Sequence, residues 1–135
     1  MFRKIVQPVS RRFLNLQEYS SKQLMEKHGL AIQRFKVATT AEEAVEGGQY
    51  LLDTGAPELV LKAQILAGGR GKGTFDTGFK SGVHFTKDPV KAGELVTAMV
   101  GNRLTTKQTA PEGVPVSKVM IAHVSSERDC NYLTK

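Results

Sequence analysis

One segment constrains this chain more than any other: an apolar stretch that runs into a glycine-rich, basic loop. Residues 59–66 are nearly all apolar, with Lys62 as an interruption, which is typical of a strand buried on both faces of a sheet. Residues 68–73 then read GGRGKG. We therefore expect a buried strand that ends in a positively charged loop.

The loop has the composition of a phosphate-binding site. Its glycines let backbone N–H groups converge on an anion and can adopt positive φ. Arg70 offers a fork of donors, and Lys72 offers a point charge. A lysine in an apolar strand is costly unless its charge is compensated, and a bound phosphate would compensate Lys62. Glycine-rich hairpins with solvated charges have the same composition, so spacing alone leaves both interpretations open.

Two familiar nucleotide motifs are excluded. The P-loop pattern requires Ser or Thr after its lysine, where this chain has Gly73. The dinucleotide-binding pattern, started at Gly69, requires glycine at position 74, which is Thr74. Residues 78–85 are predicted to form a strand, so no helix N-terminus follows the loop. The pattern favours a flexible flap between two strands.

The rest of the chain predicts a mixed α/β fold. Helices are expected over 15–28, 40–52 and 88–101, strands over 33–38, 59–66, 78–85 and 118–124, and a loop over 105–115. Asn15 with Glu18, and Thr40 with Glu43, have the spacing of a capping box. Asp88 followed by proline is a typical helix start. The predicted order is α-β-α-β-loop-β-α-β.

Composition and charge exclude several classes of protein. The content of 40% hydrophobic and 24% charged residues is ordinary for a globular chain, and no apolar run approaches the roughly 18 residues of a transmembrane helix. The single cysteine, Cys130, excludes an internal disulfide framework and fits a reducing compartment. Four of the six net positive charges come from Arg3, Lys4, Arg11 and Arg12. The remaining net positive charge is too small to favour a nucleic-acid partner.

Residues 1–13, MFRKIVQPVSRRF, are basic, free of acidic residues and interspersed with apolar side chains. This pattern predicts a mitochondrial transit peptide, processed near residues 13–15. A secretory signal is disfavoured because there is no continuous apolar core. The alternative is a disordered basic tail.

Several strings in the chain resemble the N-terminal region of succinyl-CoA synthetase β subunits of the GDP-forming, mitochondrial type. They are NLQEY at 15–19, KAQ at 62–64, GGRGK at 68–72, GVH at 82–84, TKDP at 86–89 and TKQT at 106–109. The resemblance implies an α/β fold in which residues 14–124 form the N-terminal lobe of an ATP-grasp domain. It also implies the citric-acid-cycle interconversion of succinyl-CoA, GDP and phosphate with succinate, CoA and GTP.

The resemblance implies roles for individual residues. Lys62 would contact the nucleotide phosphates together with Gly69, Arg70 and Gly71. Gln33 lies where the nucleotide classes differ, and the surrounding string IQRF is similar to that of the GTP-type enzymes. A glutamine amide both donates and accepts, so it can recognise a guanine edge.

Three more positions follow from the same resemblance. Glu58 and Ser126 would influence nucleotide preference, and Ser125 would contact the nucleotide at a hinge. GTP or GDP is the favoured nucleotide, ATP or ADP is the alternative, and Mg²⁺ is implied by the family. The implied partner is an α subunit, which carries the family's phosphohistidine, so His28, His84 and His123 are not given that role.

The resemblance weakens after residue 122. His123 stands where the family usually has an acidic residue, and 125–135 are interpreted as a divergent tail. No catalytic residue or metal ligand is assigned, because the family's second lobe, metal ligands and CoA-ligase domain would follow Lys135. We expect the 135-residue polypeptide to be inactive by itself. The alternatives are a non-catalytic module that binds nucleotide or docks the α subunit, and an ATP-specific form of the enzyme. The expected location is the mitochondrial matrix.

Overall fold

A computed structural model of the chain describes residues 15–124. In this range the helices are α1 (Glu18–Lys27), α2 (Ala41–Asp53) and α3 (Pro89–Met99). The strands are β1 (Phe35–Ala38), β2 (Leu59–Ala63), β3 (Thr74–Phe75), β4 (Val83–Thr86), β5 (Arg103–Thr105), β6 (Val114–Pro115) and β7 (Val119–His123), and Arg70–Lys72 form a single 3₁₀ turn. The predicted transit peptide and the predicted divergent tail, with Ser125 and Ser126, lie outside the described residues.

The main sheet has four strands in the order β1-β7-β2-β4, and every neighbouring pair is antiparallel. Strand β7 lies between β1 and β2, so those two strands run in the same direction and α2 connects them. All five residues of β2 are buried, which confirms a buried strand. It ends at Ala63 rather than at the predicted residue 66, and Leu66 is exposed. In the pairing of β2 with β7, Leu59 faces His123 and Ala63 faces Val119.

The two faces of the main sheet are covered by different helices. Helices α2 and α3 pack on one face, where Leu59, Leu61 and Ile121 join the larger apolar cluster. On the other face, Val60 packs with Met120, Ala122 and Tyr19 of α1. Because side chains alternate along a strand, Lys62 shares the face of Val60 and points toward α1.

Two of the three predicted helix starts are confirmed. The Thr40 hydroxyl accepts a hydrogen bond from the Glu43 amide, and the Asp88 carboxylate accepts one from the amide of Val90. The predicted cap at Asn15 is wrong. Helix α1 begins after Gln17 without a side-chain cap, and the Gln17 side chain donates to the carbonyl of Gln64 instead.

A second, three-stranded sheet in the order β3-β5-β6 was not predicted. It pairs Phe75 with Leu104 and Leu104 with Val114, so the predicted loop over 105–115 is partly wrong. The predicted strand over 78–85 is shorter, since β4 begins at Val83. Strands of two or three residues are too short to show an alternating pattern. None of the helices within residues 15–124 is long and apolar enough to cross a membrane.

Candidate functional site

The two cationic side chains predicted to contact phosphate are joined by one carboxylate. Nζ of Lys62 lies 3.1 Å from Oε1 of Glu18, and Nη2 of Arg70 lies 2.7 Å from Oε2 of Glu18. The side chain of Lys62 is 8% exposed and that of Glu18 is 26% exposed. Glu18 therefore compensates the buried charge of Lys62. A bound phosphate was expected to provide this compensation, but Glu18, 44 positions away in the chain, already provides it.

Arg70 has a second anchor at the end of β2. Its Nη1 donates to the carbonyl of Ala63 at 2.8 Å, while Nη2 donates to Glu18. These bonds use two of the five N–H donors of the guanidinium group. The guanidinium group of Arg70 is thus held between β2 and α1, and its remaining N–H donors are available to an anionic ligand.

The carboxyl group of Glu18 is stabilised in its charged form. Burial raises its pKa, but the hydrogen bond from Arg70, followed by the charge and hydrogen bond of Lys62, outweighs burial. The net effect lowers the pKa of Glu18 from its ordinary value of 4.5. Glu18, Lys62 and Arg70 together therefore carry one net positive charge at neutral pH.

The first turn of α1 is attached to β2 by Gln64, which is fully buried. Oε1 of Gln64 accepts from the Tyr19 amide at 3.1 Å, and its backbone carbonyl accepts from Nε2 of Gln17 at 3.2 Å. Nε2 of Gln64 donates to the carbonyl of Lys62 at 3.0 Å. Neither Gln64 nor Glu18 was predicted from the sequence to belong to the site. The available signal was the pair of polar residues, Lys62 and Gln64, in an otherwise apolar segment. Both need polar partners when they are buried.

The glycine-rich loop lies between two strands, β2 and β3, and forms a hydrogen-bonded turn, and its role as a flexible flap stays a prediction. It starts at Gly69, whose φ of +73° favours glycine. The amides of Lys72 and Gly73 donate to the carbonyls of Gly69 and Arg70, and the amide of Gly82 also donates to the Arg70 carbonyl at 2.8 Å. A turn of three residues has no periodic sequence pattern, which is why it was not predicted.

The loop borders a cleft of about 560 Å³. The cleft is lined by Asn15, Leu16, Glu18, Ile65, Leu66, Ala67, Gly68, Arg70 and Gln108. The Gly68 amide donates to Oε1 of Gln108 at 2.8 Å, so the TKQT string contacts the GGRGK string. Gly69 and Gly71 are exposed, and so is Lys72. Their backbone groups are accessible to a ligand.

Gln33 and Glu58 lie near the other end of β2. Nε2 of Gln33 donates to the carbonyl of His123, and its Oε1 accepts from Nζ of Lys22 at 2.7 Å. The carbonyl of Glu58 accepts from the amide of Val124 at 2.8 Å. Both residues therefore contact the segment that leads into the predicted hinge.

Strand β2 separates the two groups of predicted site residues. Glu58 and Lys62 are four positions apart, which corresponds to about 13 Å in an extended strand. Residues predicted to recognise the base lie at one end, and residues predicted to bind phosphate lie at the other.

The described residues do not form a metal or histidine centre. No group of three or more His, Cys, Asp or Glu side chains within 15–124 is placed to hold a metal ion. Nε2 of His84 lies 2.8 Å from the carbonyl of Ser81, and its ring stacks on Phe79. Nδ1 of His123 lies 3.2 Å from the carbonyl of Arg34. No protein ligand for the Mg²⁺ that the resemblance implies is assigned among these residues.

The protein family of the chain follows from comparison with known domain families. Residues 15–134 match the ATP-grasp domain family, and the chain belongs to it. This confirms the predicted fold. The match includes most of the predicted divergent tail, residues 125–135.

The similarity to individual proteins is more specific. The chain is 62% identical over 112 residues to the β subunit of mitochondrial GDP-forming succinate–CoA ligase from Mus musculus, and 60% identical over 117 residues to that from Homo sapiens. These alignments cover 83% and 87% of this chain. It is 46% identical over 112 residues, or 83% of the chain, to the β subunit of the mitochondrial ADP-forming enzyme from Saccharomyces cerevisiae. The predicted resemblance is confirmed. The chain spans 25% to 26% of the length of these relatives.

Proposed function

We propose that this chain is the nucleotide-binding part of the β subunit of a GDP-forming succinate–CoA ligase. The reaction is the interconversion of succinyl-CoA, GDP and phosphate with succinate, CoA and GTP. One arrangement carries the proposal. Lys62 and Arg70 lie together at one end of β2, while Gln33 and Glu58 lie near the other. The similarity to GDP-forming relatives supports the choice of reaction.

The phosphates bind at the glycine-rich loop in this proposal. Lys62 and Arg70 supply charge-assisted hydrogen bonds, and Glu18 leaves one of their two positive charges uncompensated. Gly69 and Gly71 bring exposed backbone close to the ligand. The cleft beside the loop gives the phosphates room.

The base binds at the opposite end of β2. After its bonds to Lys22 and the His123 carbonyl, the Gln33 amide keeps one N–H and one lone pair. Guanine presents an acceptor, O6, beside a donor, N1–H, so this amide matches it. Glu58, Ser125 and Ser126 complete the base site in the proposal.

The remaining parts of the proposal concern location and partners. Residues 1–13 direct the protein to the mitochondrial matrix, in keeping with the mitochondrial names of the relatives. An α subunit supplies the phosphohistidine, in keeping with their β-subunit names. Mg²⁺ accompanies the nucleotide, with protein ligands from outside residues 15–124.

A second candidate is a module that binds nucleotide without turnover. It would use the same two cations, Lys62 and Arg70, to hold phosphate, and it requires no reaction. Mixing the 135-residue chain with an α subunit, succinate, CoA, GTP and Mg²⁺ separates the two candidates. Succinyl-CoA formation supports the first candidate and contradicts both the second and the expected inactivity of the chain. Nucleotide binding without product supports the second.

Calorimetric titration of the 135-residue chain with GDP and with ADP tests the binding site. We expect tighter binding of GDP, and a loss of about tenfold or more in Lys62→Ala and Arg70→Ala, the size expected for one charged hydrogen bond. Lys27→Ala removes the same charge from an exposed position of α1 and should leave the affinity unchanged. Equal affinity for both nucleotides would contradict the guanine preference, and failure to bind either would contradict the site.

A further inference from the structure

We infer that Glu18 is a positioning residue of the phosphate site, one that holds Lys62 and Arg70 in place for the nucleotide. The inference rests on the proposed function. Glu18 does not itself contact the phosphates in this scheme. Each of its two carboxylate oxygens binds a different cation: Oε1 accepts from Lys62 at 3.1 Å, and Oε2 accepts from Arg70 at 2.7 Å.

Glu18 cannot easily swing away from the two cations. It is the first residue of α1, and its neighbours on both sides are bound to the buried Gln64. The Tyr19 amide donates to the Gln64 side chain, and the Gln17 side chain donates to the Gln64 carbonyl. Withdrawing the carboxylate would therefore require the first turn of α1 to leave β2. This makes Glu18 a fixed part of the site rather than a mobile gate.

Holding the two cations in advance favours binding of a phosphate. Lysine and arginine side chains each carry about 2 kcal/mol of rotamer entropy. Glu18 orders them before the ligand arrives, so less ordering remains to be done on binding. Arg70 is further fixed by the Ala63 carbonyl at 2.8 Å. Lys62 has only 8% of its side chain exposed, so its direction depends on the groups around it.

The opposite role for Glu18 makes the opposite prediction. A carboxylate that merely takes the place of a phosphate would have to be displaced, and it would repel the incoming anion. Removing its charge would then strengthen nucleotide binding. If Glu18 positions the cations, removing its charge weakens binding, because the amide NH₂ of a glutamine cannot accept from either cation. The direction of the change distinguishes the two roles.

The test compares Glu18→Gln with Glu26→Gln, which makes the same change at an exposed position of the same helix. GDP affinity is measured by calorimetry and guanosine affinity by ligand-observed NMR. We expect Glu18→Gln to weaken GDP binding about tenfold, the effect of one charged hydrogen bond, and to leave guanosine binding unchanged. Glu26→Gln should match the wild type. Guanosine lacks phosphates, so a purely structural defect would weaken both ligands.

Glu18→Asp provides a second variant that keeps the charge. Its shorter side chain can reach one cation better than two, so we expect GDP binding between those of the wild type and Glu18→Gln. Unchanged or tighter GDP binding in Glu18→Gln would overturn the inference, and so would equal losses for GDP and guanosine. If the wild type itself fails to bind GDP, the proposed function falls together with the inference. Wild-type binding with an unaffected Glu18→Gln overturns the inference alone.

Discussion

Glu18 and Arg70 are 52 positions apart in the chain, yet Oε2 of the carboxylate and Nη2 of the guanidinium lie 2.7 Å apart. This contact joins the start of α1 to the glycine-rich loop. Through Lys62, the same carboxylate also joins both to the central strand β2. The stability of α1 and the geometry of the proposed phosphate site are therefore coupled through these three side chains.

The contribution of Glu18 to stability should depend on pH. Its pKa is lowered in the folded chain from the ordinary value of 4.5, so its stabilising effect is fully present above about pH 4.5. That effect is lost as the pH falls through the lower, folded-state pKa. Urea unfolding of the wild type and of Glu18→Gln from pH 7 to pH 3 should show a difference in unfolding free energy that shrinks below pH 4.5. The pKa of Glu43 is also lowered, but that effect is common to both proteins and cancels. A difference that stays constant over this range would contradict the assignment.

Replacing Gln64 with leucine should weaken the attachment of α1 to the sheet. The substitution removes the bonds to the Tyr19 amide and the Lys62 carbonyl at a fully buried position. We expect a loss of about 2–4 kcal/mol in unfolding free energy, because buried polar groups lose their partners. Chemical denaturation measures this. Gln49→Leu, at an exposed position of α2, should change stability by less than about 0.5 kcal/mol. Similar losses in both variants would argue against the role of Gln64.

Gly82→Ala should destabilise the chain beside the glycine-rich loop. An added Cβ would lie 2.7 Å from Cδ2 of Leu104 and 3.4 Å from the Arg70 carbonyl oxygen. Leu104 is fully buried and has little room to move, so we expect a loss of about 1–3 kcal/mol from overpacking. Thermal unfolding followed by circular dichroism measures it. At Gly71 a Cβ would meet no atom within 4 Å, so Gly71→Ala is the matched control and should unfold at nearly the wild-type temperature. Equal effects at the two glycines would contradict this account.

Gln33→Leu should reduce the preference for guanine nucleotides. Leucine is similar in size but cannot donate or accept hydrogen bonds, so a base recognised through the amide loses its partner. We expect GDP binding to weaken about tenfold, at most the value of one good hydrogen bond, with ADP binding unchanged. Paired calorimetric titrations provide the measurement, and Gln23→Leu on the exposed side of α1 is the control. An equal loss for GDP and ADP would indicate a structural effect of the substitution instead.

Much of the fold could be predicted because the signals are local. The starts of α2 and α3 depend on Thr40 and Asp88, whose side chains bond to amides two or three residues away. Strand β2 was recognisable because a strand buried on both faces needs apolar residues on both. The second sheet was missed because its strands are too short to show alternation. The 3₁₀ turn was missed because glycines permit many conformations, and only contacts such as that of Gly82 with Arg70 select one.

The sequence by itself determined the family and the central strand, and it predicted Lys62, Arg70 and Gln33 as candidate site residues. Tertiary structure alone decided how those residues are paired. Glu18 has the spacing of a helix cap, but a carboxylate binds whichever donors approach it, and the folded chain brings Lys62 and Arg70 to it. Gln33 has the chemistry to recognise guanine, but only the fold shows that Lys22 and the His123 carbonyl orient its amide. The physical reason is the same in both cases. These partners are separated by many residues, and long-range contacts depend on how the elements pack rather than on the local pattern.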